Sequence, residues 1–196
     1  MLLRIGILTG TFDPVHLGHV ELARAAMQSC RLDEVWFMVN PVPDHKQGTA
    51  LVEHRRRMVE LTLPERMRLY DGALSDRPHE PALFRSVMAE QAGGEFVFIV
   101  GEDTLVRIDT WKDVESVVTL ASYAVARRHG TADDALDKLR VRLGPLSSCL
   151  RVQWFDFEDH GAASSLLIRE DLRRGRVPRS LDPRVLDYIQ THHLYR

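Results

Sequence analysis

The sequence is poor in cysteine. Cys30 and Cys149 are its only two, and neither has a Cys-x-x-Cys partner. That scarcity argues against a disulfide scaffold and against a zinc ribbon. Both cysteines are expected to be small buried hydrophobes in a reducing compartment. Long apolar runs are missing as well: none approaches the ~20 residues that a membrane-spanning helix needs. Met1-Leu2-Leu3-Arg4 leads straight into a short run broken by Gly6 and Gly10, so no signal peptide is expected. Neither sign of charge is in surplus. Lys plus Arg is 26 and Asp plus Glu is 28, a formal charge of −2. The balance speaks against a nucleic-acid coat and against a polybasic membrane binder. Repeats, low-complexity tracts and dividing linkers are absent too. What is left is ordinary: 196 residues, 44% hydrophobic and 28% charged, enough for one cored domain that is soluble and cytoplasmic.

Short apolar runs and amphipathic stretches alternate along the chain. Strands are predicted over residues 2–9, 35–39, 67–70, 96–100, 123–126 and 152–157. Helices are predicted over 18–30, 51–63, 81–92, 132–143, 164–174 and 182–191, with one or two short ones around Trp111. Arg55, Arg56 and Arg57 are placed partly on the wet face of the second helix. Alternation at this spacing implies βα units and an α/β fold: a doubly wound, mostly parallel sheet, with helices on both faces and a small C-terminal helical part. The domain is expected to span residues 1–196, its helical end beginning near 164.

Four constellations carry chemistry. The first is Gly10-Thr11-Phe12-Asp13-Pro14-Val15-His16-Leu17-Gly18-His19, between the first strand and the first helix. Ligands of open parallel sheets bind at such places. Gly10 lets a ligand approach the backbone, and the free N–H groups of a helix start favour phosphate. His16 and His19 then supply two further donors. A zinc reading of these histidines with Asp13 and Glu21 is disfavoured, since no cysteine supports it. The second is Pro41-Val42-Pro43-Asp44-His45-Lys46, either a solvated loop stiffened by prolines or a phosphate clamp built on Lys46 and His45. The third is Gly101-Glu102-Asp103 followed by Trp111. Asp103 suits a ribose or a helix cap, and Trp111 suits ring stacking or packing. The fourth is Ser164-Ser165 with Arg169 one turn on, which fits a serine-capped helix start and a phosphate site alike. Between Arg169 and Arg184 six arginines face three acids, a local +3.

The run from Thr9 to His19 resembles the HxGH motif of the nucleotidyltransferase superfamily, and is most similar to the bacterial nicotinate-nucleotide adenylyltransferase branch. Pro41 to Lys46 resembles the family's P-x-x-x-P-x-H-[KR] segment, Gly101-x-Asp103 with Trp111 its GxD…W block, and Ser164 to Arg169 its ISSTxIR motif. The likeness also reaches the last helix and Tyr195. It implies a Rossmann-like fold and transfer of AMP from ATP to a mononucleotide, with pyrophosphate leaving. On the family pattern Gly10, Thr11, Phe12, His16, Gly18, His19, Gly101, Asp103, Ser164, Ser165 and Arg169 bind ATP. His16, His19, Lys46 and Arg169 act in the transfer. His45, Lys46, Leu83, Phe84 and Trp111 line the acceptor site. Mg²⁺ is expected to travel with the nucleotide phosphates, with no resident metal in the protein.

The chain departs from the pattern on the acceptor side. Pro81-Ala82-Leu83-Phe84 stands where the family has Pro-Ser-Tyr-Thr, Lys112 follows the tryptophan, and Leu166 replaces a threonine. Leu83 cannot donate a hydrogen bond. A different phosphorylated acceptor, CTP in place of ATP, or a nucleotide-binding module without turnover therefore stay open at this stage. The sequence is silent on oligomeric state.

Overall fold

The computed structural model describes residues 3–41, 49–72, 87, 94–127, 134–158 and 164–196. Strand β1 (Arg4–Gly10) leads into helix α1 (Leu17–Cys30), strand β2 (Glu34–Val39), helix α2 (Val52–Thr62) and the short strand β3 (Met67–Leu69). Strand β4 (Glu95–Gly101) passes directly into helix α3 (Glu102–Leu105), a 3₁₀ turn (Ile108–Thr110) and helix α4 (Val114–Leu120). Then come strand β5 (Ser122–Arg127), helix α5 (Ala135–Leu143) and strand β6 (Arg151–Asp156). Helices α6 (Ser165–Arg173) and α7 (Pro183–Thr191) close the described chain. The helix expected over 81–92 lies outside the described residues, apart from buried Val87.

The strands form one sheet in the order β3-β2-β1-β4-β5-β6, and every pairing is parallel. This is the Rossmann-like order, which reverses direction between β1 and β4. Side chains of a strand alternate between faces, so each strand feeds two cores. Leu8, Val35, Phe37, Val97, Ile99 and Ala124 face α1, α2, α6 and α7. Ile5, Ile7, Trp36, Met38, Phe98 and Tyr123 face α3, α4 and α5. Burial on both sides is why these strands read as continuous apolar runs rather than as alternating ones. Gly6 in mid-β1 has no room for a side chain: a Cβ there would sit 2.7 Å from Leu32 Cδ1.

Helix ends follow local chemistry. Asp182 accepts from the Arg184 backbone N–H at 2.8 Å, and Pro183 occupies the first turn of α7. Gly175 takes up φ 70° just past α6, the left-handed turn that glycine favours there. The serine cap of α6 does not form as expected. Ser164 occupies the cap position, but its side chain makes no capping bond. Its neighbour Ser165 points elsewhere, as described below. Cys30 is buried, which pushes its thiol up, but Cys149 is only half-buried, contrary to expectation. Among the described residues no helix is long and apolar enough to cross a membrane.

Candidate active site

The sheet parts where its order reverses. Pairing of β1 with β4 runs from Arg4–Glu95 to Ile7–Phe98. Pairing of β1 with β2 continues to Gly10–Val39, and that of β4 with β5 to Gly101–Ala126. The ladder between the two central strands thus stops short of their carboxyl ends, at the switch point where sheets of this order have their ligand crevice. Gly10 and Gly101 end these strands and stand at its mouth. Phe12 folds back over Gly10, so a Cβ on Gly10 would meet its ring at 2.8 Å. The fold-back needs φ 50° at Phe12, and the ring is buried.

The histidines close the same turn. His16 is the last residue before α1, and His19 lies in the helix's first turn. Their rings stack at 3.7 Å between centroids, and Phe12 meets His19 edge-on at 4.9 Å. The His16 backbone N–H donates to His19 Nδ1 at 3.2 Å. Because Nδ1 accepts, the neutral ring carries its proton on Nε2, which makes Nε2 a donor. No acidic residue lies in the first turn of α1, so the helix start keeps its attraction for anions. Gly18 lies in the same turn and is half-buried.

A second layer holds this turn from behind. Arg169 Nη1 on α6 donates to the Asp13 carbonyl at 2.6 Å and lies 3.7 Å from Asp13 Oδ2. Ser165 Oγ donates to the Pro14 carbonyl at 3.0 Å. The start of α6 is therefore seated on the histidine turn, although more than 150 residues separate them in sequence. The Leu17 N–H reaches the Ser180 carbonyl at 2.9 Å and ties in the segment after α6. The local positive charge is partly spent nearby: Arg176 pairs with Asp171, and Arg184 with Asp182 at 2.8 Å.

Arg55 is a residue that the sequence reading misplaced. It is 1% exposed rather than wet. Its Nη1 donates to the carbonyls of Thr11 at 2.8 Å and Asn40 at 2.7 Å. Its Nε reaches Ala50 O at 2.9 Å and its Nη2 reaches Pro41 O at 3.0 Å. One guanidinium thus joins the exits of β1 and β2 to the lead-in of α2. Burial pulls its pKa below the usual arginine value, and Asp13 opposes that pull. The helical period carried a signal for it: Arg55, Met58, Val59 and Thr62 are the buried positions of α2, spaced as one stripe.

On the other side of the crevice, Asp103 is exposed and sits inside α3, whose cap position is Gly101. The capping alternative for Asp103 is thereby set aside. A Cβ on Gly101 would lie 2.6 Å from Asp103 Oδ1, so the carboxylate bends back over the strand end. Trp111 is half-buried and packs against the second core, which leaves part of its ring accessible. His45, Lys46, Leu83 and Phe84 lie outside the described residues.

A profile of the cytidylyltransferase-like family matches residues 7–171. A protein of Shewanella woodyi, named as a probable nicotinate-nucleotide adenylyltransferase, is 31% identical over 99% of this chain and 100% of its own length. One from Shewanella sediminis with the same name is 34% identical, covering 99% of each. Among solved structures, the Plasmodium falciparum nicotinic acid mononucleotide adenylyltransferase complexed with NaAD superposes with a TM-score of 0.72. It shares 18% identity, covers 98% of this chain and 97% of its own, and supports the fold alone.

Proposed function

This chain belongs to the cytidylyltransferase-like family, and from that premise we propose that it transfers AMP from ATP to nicotinate mononucleotide, releasing pyrophosphate, as a step of NAD biosynthesis. The observation that carries this reading is the crevice between β1 and β4. The stacked histidines and Arg169 gather on one side of it, and Asp103 lies on the other.

A phosphate oxygen of the acceptor attacks the α-phosphorus of ATP in line. The bond from the α-phosphorus to the bridging oxygen breaks, and its electron pair leaves with pyrophosphate. No covalent intermediate is needed, so catalysis is positioning and charge stabilisation. His19 donates from Nε2 to the phosphate oxygens as charge builds, with His16 stacked against it. The N–H groups at the start of α1 face the same oxygens. Arg169, Ser164 and the start of α6 hold the departing pyrophosphate, while Ser165 seats that helix start on the Pro14 carbonyl. Thr11, Phe12 and Gly18 shape the turn, and Gly101 and Asp103 cradle the adenosine. Lys46 and His45 steady the phosphates; Leu83, Phe84 and Trp111 border the acceptor ring.

Among the described residues no three His, Cys, Asp or Glu side chains group as metal ligands. Mg²⁺ would travel with the ATP phosphates and screen their charge, and no step is assigned to it.

Two measurements test the reading. Pyrophosphate release is expected with ATP and nicotinate mononucleotide. Release only with another phosphorylated acceptor, or with CTP, would redirect the specificity; binding of ATP without release under any acceptor would end the enzymatic reading. Gly101→Ala is expected to push the Asp103 carboxylate aside, because the new Cβ would lie 2.6 Å from Oδ1. A flexible side chain can yield to that intrusion, so thermal stability should change little. KM for ATP should rise several-fold, about what one lost hydrogen bond gives. An unchanged KM would remove Asp103 from the adenosine site.

A further inference from the structure

Asp13 is a buried carboxylate in the histidine turn, 2% exposed, and no step above uses it. Its Oδ1 accepts two donors: the Tyr195 hydroxyl at 2.6 Å and the Ala50 backbone N–H at 3.1 Å. Its Oδ2 lies 3.7 Å from Arg169 Nη1, an ion pair beyond hydrogen-bond reach, while Arg169 donates instead to the Asp13 carbonyl. Tyr195 lies past the end of α7 and 182 residues from Asp13. To deliver its hydroxyl the chain turns through the left-handed region twice, with φ 55° at His193 and 61° at Tyr195. Residues bearing a Cβ adopt that region rarely, and they hold it where surrounding structure demands it.

We propose that Tyr195 is a positioning residue of the reaction: by saturating Asp13 Oδ1 it keeps the carboxylate from closing on Arg169, and leaves the guanidinium available for pyrophosphate. The inference rests on the role given above to Arg169. A carboxylate and an arginine left to themselves form a two-pronged pair, with both oxygens engaged. Here one oxygen is already taken, so only the 3.7 Å approach of the other remains. Burial, and then the bond to Asp13, push the Tyr195 hydroxyl far above the usual phenol range. It therefore stays a donor at every working pH. Without that hydroxyl, Asp13 turns towards Arg169 and competes with the phosphate for it.

Tyr195→Phe removes only the hydroxyl. Pyrophosphate titrated calorimetrically into this variant should bind roughly 10–100-fold more weakly, the scale of one hydrogen bond to a charged group. KM for ATP should rise with it and kcat should fall, because Arg169 steadies the leaving pyrophosphate. In an Arg169→Lys background the same substitution should have little further effect, since lysine cannot form the two-pronged pair. Equal pyrophosphate affinity in parent and Tyr195→Phe would overturn the proposal. So would a loss of the same size in the Arg169→Lys background, or a lowered melting temperature with unchanged kinetics. A parent protein that binds no pyrophosphate would instead overturn the role of Arg169, and this proposal with it.

Discussion

Replacing His19 by alanine is expected to lower turnover about 100–1,000-fold, equivalent to ~2.7–4 kcal/mol of lost transition-state stabilisation. The size follows from its place. Nδ1 accepts from the His16 backbone N–H at 3.2 Å, so Nε2 carries the proton and is the nitrogen that donates where charge grows on the phosphates. Alanine also removes that backbone acceptor, which adds a helix-start penalty of about 0.5–2 kcal/mol to folding. His19→Asn separates the two effects. Its amide oxygen can occupy the place of Nδ1, while nothing replaces Nε2. The asparagine variant should melt close to the parent and turn over as poorly as the alanine variant. Steady-state pyrophosphate release and thermal unfolding, measured on both, check this. Near-parental turnover in either variant removes His19 from the reaction.

Arg55→Met should be the most destabilising single change at the site. Methionine fills comparable volume but supplies no donors. The carbonyls of Thr11, Asn40, Pro41 and Ala50 would lose their shared partner. Asp13 would lose a nearby cation as well. Removing one member of a buried charged network costs about 3–5 kcal/mol. At roughly 2–4 °C per kcal/mol for a chain of this size, the melting temperature should fall by about 6–20 °C. Arg55→Lys should recover only part of the loss, because a single ammonium cannot serve carbonyls spread across three segments. Calorimetric melting of the parent and the two variants decides it. A shift below about 2 °C in Arg55→Met, under 1 kcal/mol for a chain of this size, would show that solvent serves these carbonyls equally well.

The parts that the sequence made legible are those dictated locally. The parallel α/β sheet follows from apolar runs alternating with amphipathic stretches, and β1, α1, β2 and β4 end within about two residues of where the residues alone place them. The histidine turn was legible because Gly10 and the Pro14–Gly18 stretch bracket it at a strand-to-helix junction. What stayed hidden depends on distant packing. Three successive arginines in α2 look alike by composition, and only the buried stripe of Met58, Val59 and Thr62 singles out Arg55. Ser164 and Ser165 look equally suited to capping, yet Ser165 reaches Pro14 and neither caps α6 through its side chain. The partnership of Tyr195 with Asp13 left no local trace, since the terminal segment reads as core packing and Val185 and Ile189 do supply it.

The unzipped ends of β1 and β4 also bear on how the molecule holds together. The sheet consists of two half-sheets, β3-β2-β1 and β4-β5-β6, and the seam between them stops at Ile7 and Phe98. The neighbouring seams run on to Gly10–Val39 and Gly101–Ala126. A nucleotide reaching from the turn after Gly10 to Asp103 would act as a rivet across the incomplete seam. Substrate occupancy would then be felt as mechanical stiffness through the middle of the protein, with the halves locked while the nucleotide spans them and freer once the products leave.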